Sequence, residues 1–231
     1  MDYHFLLAGI RNGYYTVVLM ECANILVIIT YLKRKPRNTF YLFLLSLVSL
    51  IQSLVNQCAD LIGYVSPGNI LTNSSIYLYT LCEITLSLAY IQIFIPKKGI
   101  KKGMLASWII FTSVTLYNFI CHLDSRKIVS YIGIAEGIII IIACLCFFYK
   151  LFKTPAIKNV SKASEIWAIA GIFLLFSLIT PFFLMLDYLK NHNWLLAKKL
   201  YIINNISYCL MFIAFTIAIR HDRSVRSAHT R

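Results

Sequence analysis

Seven long apolar stretches alternate along the chain with short polar segments. Each stretch is about long enough to cross roughly 30 Å of hydrocarbon as an α-helix. The pattern predicts transmembrane helices near residues 14–32, 39–64, 74–95, 103–123, 128–151, 165–189 and 200–220. The predicted fold class is therefore an all-α membrane protein. A bundle of seven transmembrane helices forms a single domain over residues 1–220, and a short basic tail follows at 221–231.

The composition agrees with a membrane environment. Of the 231 residues, 59% are hydrophobic and 13% are charged, and the mean hydropathy is +0.74, whereas a soluble domain carries about 25% charged residues. The formal net charge is +13. We do not expect nucleic-acid binding from this charge, because the basic residues form short clusters between apolar stretches and not one solvated face.

The basic residues are divided unevenly between the two sets of connecting segments. Sixteen follow the first, third, fifth and seventh stretches, and six lie on the other side. The positive-inside rule therefore predicts the N-terminus outside and the C-terminus in the cytoplasm of a plasma (inner) membrane. The expected partners are the lipid bilayer, anionic lipid head groups at the basic inner loops and a cytoplasmic signalling protein.

The sequence lacks the residues that a retinal protein or an intramembrane zinc enzyme requires. The last stretch, LYIINNISYCLMFIAFTIAI, contains no lysine that could form a Schiff base. None of the five histidines lies deep in a stretch, and the seven cysteines form no CxxC motif or Cys/His cluster. The cysteines are predicted to pack between helices as small apolar residues. The sequence thus predicts no cofactor, no metal site and no catalytic residue.

Acidic residues inside the apolar stretches are the main candidates for function. At 1.5 Å per residue, Glu21, Glu83 and Glu136 each lie roughly 10–15 Å below the outer surface, and Asp60 lies near the outer end of the second stretch. A carboxylate in hydrocarbon costs on the order of 3 kcal/mol, so such residues usually face the bundle interior. Asn and Tyr residues at helical spacing extend this polar face. The predicted ligand-binding residues are Glu21, Asn24, Asn56, Asp60, Glu83, Glu136, Asn204, Asn205 and Tyr208.

Two interpretations of this polar set are open. In the first, the residues line a cavity that opens outward, and the acids are protonated and hydrogen-bonded at rest because no basic partner lies inside the membrane. In the second, they only join helices through hydrogen bonds worth about 0.6 kcal/mol each.

Three short segments carry a resemblance to known proteins. They are NSSIYLYTLCE, SEIWAIAGIFLLFSL and NNISYCLMFIAF. With a Tyr-rich run ending in Glu, a Trp near the start of the sixth helix, and Asn with Tyr in the last, the chain resembles a group of small bacterial seven-helix membrane proteins without an assigned activity. Ile166 departs from that pattern, in which a second aromatic residue stands beside Trp167. The resemblance implies a multi-pass membrane protein and no particular mechanism.

Three classes of function are considered, in order of preference. The first is a receptor or sensor that binds a small ligand in the outward cavity and relays to a separate cytoplasmic partner. The second is a small-solute or proton-coupled transporter that uses the three glutamates as relay groups. It ranks lower because inner halves such as ILVIITYL offer no polar exit path. The third is a lipid-acting intramembrane enzyme with paired carboxylates, for which a histidine base at the same depth is missing. The oligomeric state is left open.

Overall fold

A computed structural model describes residues 3–36, 38–61, 70–121, 126–153, 163–192 and 194–222. Within these ranges the chain folds into seven α-helices. They are α1 (Tyr3–Arg34), α2 (Phe40–Leu61), α3 (Ile70–Phe94), α4 (Lys98–Cys121), α5 (Arg126–Lys153), α6 (Ser164–His192) and α7 (Trp194–His221). All seven are long and apolar enough to cross a membrane. The prediction of an all-helical, seven-span membrane protein is confirmed at this level.

Some helix ends differ from the predicted spans. α1 begins at Tyr3 and runs through Asn12 and Gly13 without a break, because a glycine inside a helix costs only about 1 kcal/mol relative to alanine. α6 likewise continues past Pro181 to His192. Proline is tolerated in membrane helices because neighbouring groups satisfy the carbonyl that it leaves free.

The helices form a ring in which sequence neighbours are also spatial neighbours. α7 closes the ring against α1, and α3 occupies a central position because it contacts α5 and α6 as well as α2 and α4. Accordingly, Tyr77, Ile84 and Tyr90 of α3 are fully buried, whereas Ile110 and Ile120 of α4 are 65% and 78% exposed. Exposed apolar side chains of this size are suited to lipid and not to water.

One end of the bundle, here termed the basic end, holds the C-termini of α1, α3, α5 and α7. Its described basic residues are Lys33, Arg34, Lys35, Lys97, Lys98, Lys101, Lys102, Lys150, Lys153 and Arg220. Two of them cap neighbouring helices: Arg34 Nη1 donates to the carbonyl oxygen of Arg220, and Lys150 Nζ donates to that of Phe94, both at 2.6 Å. The last carbonyls of a helix lack intrahelical partners and attract cations. These bonds tie α1 to α7 and α5 to α3.

Small residues allow α6 to approach both of its neighbours closely. A Cβ atom added at Gly137 of α5 would lie 2.0 Å from Thr180 Oγ1 of α6, and one added at Gly171 of α6 would lie 2.8 Å from the Cβ of Ala214 in α7. Glycine and alanine at such contacts let membrane helices gain van der Waals contact along their backbones. The positions of α5 and α7 are thus fixed relative to α6.

The end of α1 yields a stability prediction. Lys35 has a φ of 46°, and its N–H donates to the carbonyl of Tyr31 at 2.7 Å, which is the left-handed conformation that glycine usually supplies after a helix. We expect Lys35→Gly to raise the free energy of unfolding by about 0.5–1 kcal/mol, because the strain of an L-residue in this conformation is removed. Denaturant unfolding in detergent measures it. Lys35→Ala is the control that keeps the Cβ atom, and equal stability of the Gly and Ala variants would contradict the expectation.

Candidate functional site

Glu83 is a buried carboxyl group on the inward face of α3. Its side chain is 3% exposed, and Thr80 and Ser87, one turn before and after it, are buried on the same face. Tyr79 lies four residues earlier, a spacing that brings side chains together on one side of a helix. The Tyr79 hydroxyl donates to Glu83 Oε1 at 2.9 Å. Local helix geometry alone therefore positions the first partner of this acid.

A second hydroxyl reaches Glu83 from α7. Tyr208 Oη lies 3.5 Å from Glu83 Oε1 and 3.5 Å from Tyr79 Oη. The Tyr208 ring stacks on Phe212, one turn later, with ring centroids 6.3 Å apart, and Phe212 is fully buried. Packing of Phe212 thus holds the tyrosine beside the α3 carboxyl.

Glu136 brings a second carboxyl group to this place from α5. Its side chain is 4% exposed. Phe94 of α3 and Phe147 of α5 are in ring contact, with centroids 6.3 Å apart. Glu83 and Glu136 each lie eleven residues before these phenylalanines on helices that pack together and run in the same direction, so the two acids lie at one level of the bundle. Its Oε1 atom is buried and has no hydrogen-bond partner among the described residues. Most buried polar atoms in folded proteins have a partner, so an acceptor of this kind requires an explanation. Tyr79, Glu83, Glu136 and Tyr208 are together termed the Glu83 cluster.

Glu21, the third predicted glutamate, belongs to a different group of residues. Ser53 Oγ of α2 donates to Glu21 Oε1 at 2.6 Å, and Gln57 Nε2 of α2 donates to the same oxygen. These hydrogen bonds join α1 to α2. Among the described residues, no hydrogen bond connects Glu21 with the Glu83 cluster. The predicted common depth of the three glutamates therefore does not bring them to one place.

A polar contact between α2 and α3 lies close to the Glu21 group. Gln52 Nε2 of α2 donates to Asn56 Oδ1 at 3.4 Å and to Ser75 Oγ of α3 at 3.3 Å. Asn56 was predicted, but Gln52, Ser53 and Gln57 were missed. The spacing of four residues between Ser53 and Gln57 is the sequence signal that could have found them.

The remaining predicted residues are distributed over other helix contacts. Asn205 is buried, and its Nδ2 donates to Thr16 Oγ1 of α1 at 3.1 Å. Asn24 is buried, and its Oδ1 has no hydrogen-bond partner among the described residues. Asn204 is half-buried. The side chain of Asp60 lies outside the described residues. A single cavity that contains all nine predicted residues stays a prediction.

The chemistry available to the Glu83 cluster follows from its groups. It combines two carboxyl groups with two phenolic hydroxyls, and the described contacts of Glu83 come from hydroxyls and not from cations. Within the described part of the chain, no group of three or more His, Cys, Asp or Glu residues could hold a metal ion. The cluster is therefore suited to accept hydrogen bonds or to pair with positive charge.

Comparisons of the chain with protein-family models, with curated proteins and with solved structures find no match. The class that the structure defines is thus a multi-pass, seven-helix membrane protein.

Proposed function

We propose that the protein is a receptor or sensor that binds a small ligand at the Glu83 cluster and relays binding to a separate partner at the basic end. The observation that supports this most is that buried polar groups of α3, α5 and α7 lie together inside the bundle: Tyr208 of α7 reaches Glu83 of α3, and Glu136 of α5 is buried at the same level. Glu83 lies eleven residues before the end of α3, which is about 16 Å at 1.5 Å per residue. The site and the basic end are therefore separate places on the same helices.

The same helices provide a route between the two places. A ligand that changes the 3.5 Å contact between Tyr208 and Glu83 would shift α7 relative to α3. The last turns of α3 and α7 carry the carbonyls of Phe94 and Arg220, which Lys150 and Arg34 cap. A ligand shifts such an equilibrium only by its difference in affinity for the two arrangements. Helix movement of this kind would change the surface that a partner contacts.

The basic end supplies the surface for that partner. Lys33, Lys98, Lys153 and Arg220 are exposed there, and each Lys or Arg near an anionic membrane surface contributes about 1 kcal/mol of attraction. We propose that this end faces the cytoplasm of the plasma membrane and contacts anionic lipid head groups and a signalling protein. Arg223 and Arg226, which extend the basic tail in sequence, lie outside the described residues.

The orientation is tested with topology reporters. A reporter fused after Arg231 should be active only in the cytoplasm, because sixteen of the 22 basic residues lie on that side. The same reporter inserted after Val65, between α2 and α3, is the matched control and should report the opposite side. Activity of the Arg231 fusion outside the cell would contradict the proposed orientation.

The ligand-binding role is tested by comparing the protein with its Tyr208→Phe variant. Both are screened for thermal stability in detergent against a library of polar metabolites of mixed charge. We expect at least one compound to raise the Tm of the parent and to lose most of this effect in the variant, because only the Tyr208 hydroxyl is removed. The proposal is wrong if no compound acts, or if every active compound stabilises both proteins equally.

A flux measurement separates a sensor from a transporter. The stabilising compound is added to proteoliposomes that contain the protein, and its uptake into the lumen is followed. A sensor should show no uptake above that of protein-free liposomes. Uptake that depends on Tyr208 would replace the sensor proposal with the transporter.

A further inference from the structure

We infer that the ligand of the Glu83 cluster is a small organic ammonium ion, that is, a protonated amine. This inference rests on the proposed function, since it names the ligand class of the same site. The cluster consists of a hydrogen-bonded group, formed by Tyr79, Glu83 and Tyr208, and of a separate buried carboxyl group, Glu136, at the same level of the adjacent helix α5.

The balance of donors and acceptors indicates what the ligand must supply. Two carboxyl groups present four oxygen atoms, and the two tyrosine hydroxyls both lie against a single one of them, Glu83 Oε1. Glu136 Oε1 remains buried without a partner among the described residues. The cluster therefore has at least one buried acceptor that no described donor fills. A primary ammonium group carries three donors and no acceptor, which complements such an acceptor.

The charge of the cluster favours the same ligand. An anion would stand next to two buried carboxyl groups, and each of them, when ionised, would repel it in a weakly screened interior. An ammonium ion instead allows a carboxylate to be paired and hydrogen-bonded, and such charge-assisted bonds are about twice as strong as neutral ones. Pairing is what makes a buried charge tolerable.

The oxygen atoms of the cluster also favour an organic cation over a metal ion. Calcium takes six to eight oxygen ligands. The described residues contain no group of three or more His, Cys, Asp or Glu that could supply such a set.

The test uses the full-length protein in detergent and n-butylammonium chloride as the probe. Sodium chloride at the same ionic strength, n-butanol and sodium butyrate are the inorganic, neutral and anionic controls. We expect n-butylammonium to raise the Tm saturably, by about 3–6 °C at ten times its Kd. Glu83→Gln and Glu136→Gln should each weaken the apparent affinity about tenfold or more, because each removes a charged acceptor. Glu21 belongs to the separate group with Ser53 and Gln57, so Glu21→Gln should keep the affinity of the parent.

Each other outcome overturns the inference in a distinguishable way. No shift with n-butylammonium, or an equal shift in the parent and both Gln variants, means that the cluster does not bind ammonium ions. An equal shift with sodium chloride assigns the site to an inorganic cation. A shift with n-butanol or butyrate alone that Tyr208→Phe abolishes overturns the ligand class but leaves the proposed function standing. The proposed function itself is overturned only by the metabolite screen or by the flux measurement. If Glu136→Gln does not fold, Glu136→Asp replaces it, and an affinity equal to that of the parent in Glu83→Gln and Glu136→Asp overturns the inference.

Discussion

Gly137→Ala is expected to lower the free energy of unfolding by about 1–3 kcal/mol, the range for overpacking a close contact. The new Cβ atom would stand 2.0 Å from Thr180 Oγ1 and 3.2 Å from Thr180 Cβ. Thr180 is buried, and its hydroxyl donates to the carbonyl of Phe176 at 2.7 Å. Rotating the hydroxyl away would break this bond, so the helices must separate instead. Thermal or denaturant unfolding in detergent measures the loss.

Two further variants isolate the cause of this loss. Gly103 of α4 has no atom within 4 Å of an added Cβ, so Gly103→Ala should leave stability unchanged or raise it by up to about 1 kcal/mol through helix propensity. Thr180→Ala removes the hydroxyl that the new Cβ atom of Gly137→Ala would meet. The double variant should therefore lose less free energy of unfolding than the two single variants lose together. Additive effects, or a Gly137→Ala protein as stable as the parent, would show that α5 and α6 do not approach closely at this point.

The Gly137 contact also concerns the candidate site, because Glu136 is its neighbour in α5. The close approach of α5 to α6 determines the level and direction at which α5 presents Glu136 to α3. We therefore expect a shifted α5 to weaken ligand binding at the Glu83 cluster in addition to lowering stability. The stability loss and the affinity loss are measured on the same Gly137→Ala protein.

The number of helices was predictable from the sequence, but their arrangement was not. Hydropathy identifies a stretch that can cross a membrane, and each of the seven predicted stretches overlaps an observed helix. It does not show which face of a helix packs inside, because lipid is as apolar as the protein core. Ile110 of α4 is 65% exposed and Ile140 of α5 is fully buried, although both are isoleucines in apolar stretches. The central position of α3 therefore appears only in the tertiary structure.

The candidate site was predictable only in part, because sequence spacing gives contacts within one helix but not contacts between helices. The Tyr79–Glu83 hydrogen bond lies within one helix and follows from the spacing of four residues. Depth along a helix could be counted from sequence, and it placed Glu21, Glu83 and Glu136 at one level. The direction of each side chain around its helix axis, and the order of helices in the ring, decide which residues meet. Glu21 consequently binds Ser53 and Gln57 of α2, while Glu136 of α5 lies at the level of Glu83 on the helix that packs against α3.

Glu83→Gln and Glu83→Leu are expected to separate a structural from a ligand-binding role for this acid. Glutamine keeps the shape of the side chain and an oxygen that can accept from Tyr79 and Tyr208, so its stability should be close to that of the parent. Leucine leaves both hydroxyls without their acceptor in a buried site. The cost of unsatisfied polar groups should lower the free energy of unfolding by about 1–3 kcal/mol. Unfolding of the three proteins in detergent, without ligand, measures these differences.

The glutamine variant then decides between the two roles when ligand is present. A carboxyl group that only joins α3 to α7 can be replaced by an amide without any change in the response to compounds that stabilise the parent. A carboxyl group that pairs with a ligand cannot, because the amide has no charge to offer. We expect Glu83→Gln to fold like the parent and to lose most of the ligand-dependent rise in Tm. If it keeps the whole response while Glu83→Leu alone is unstable, Glu83 is a structural residue, and binding would have to depend on Glu136 and Tyr208 alone.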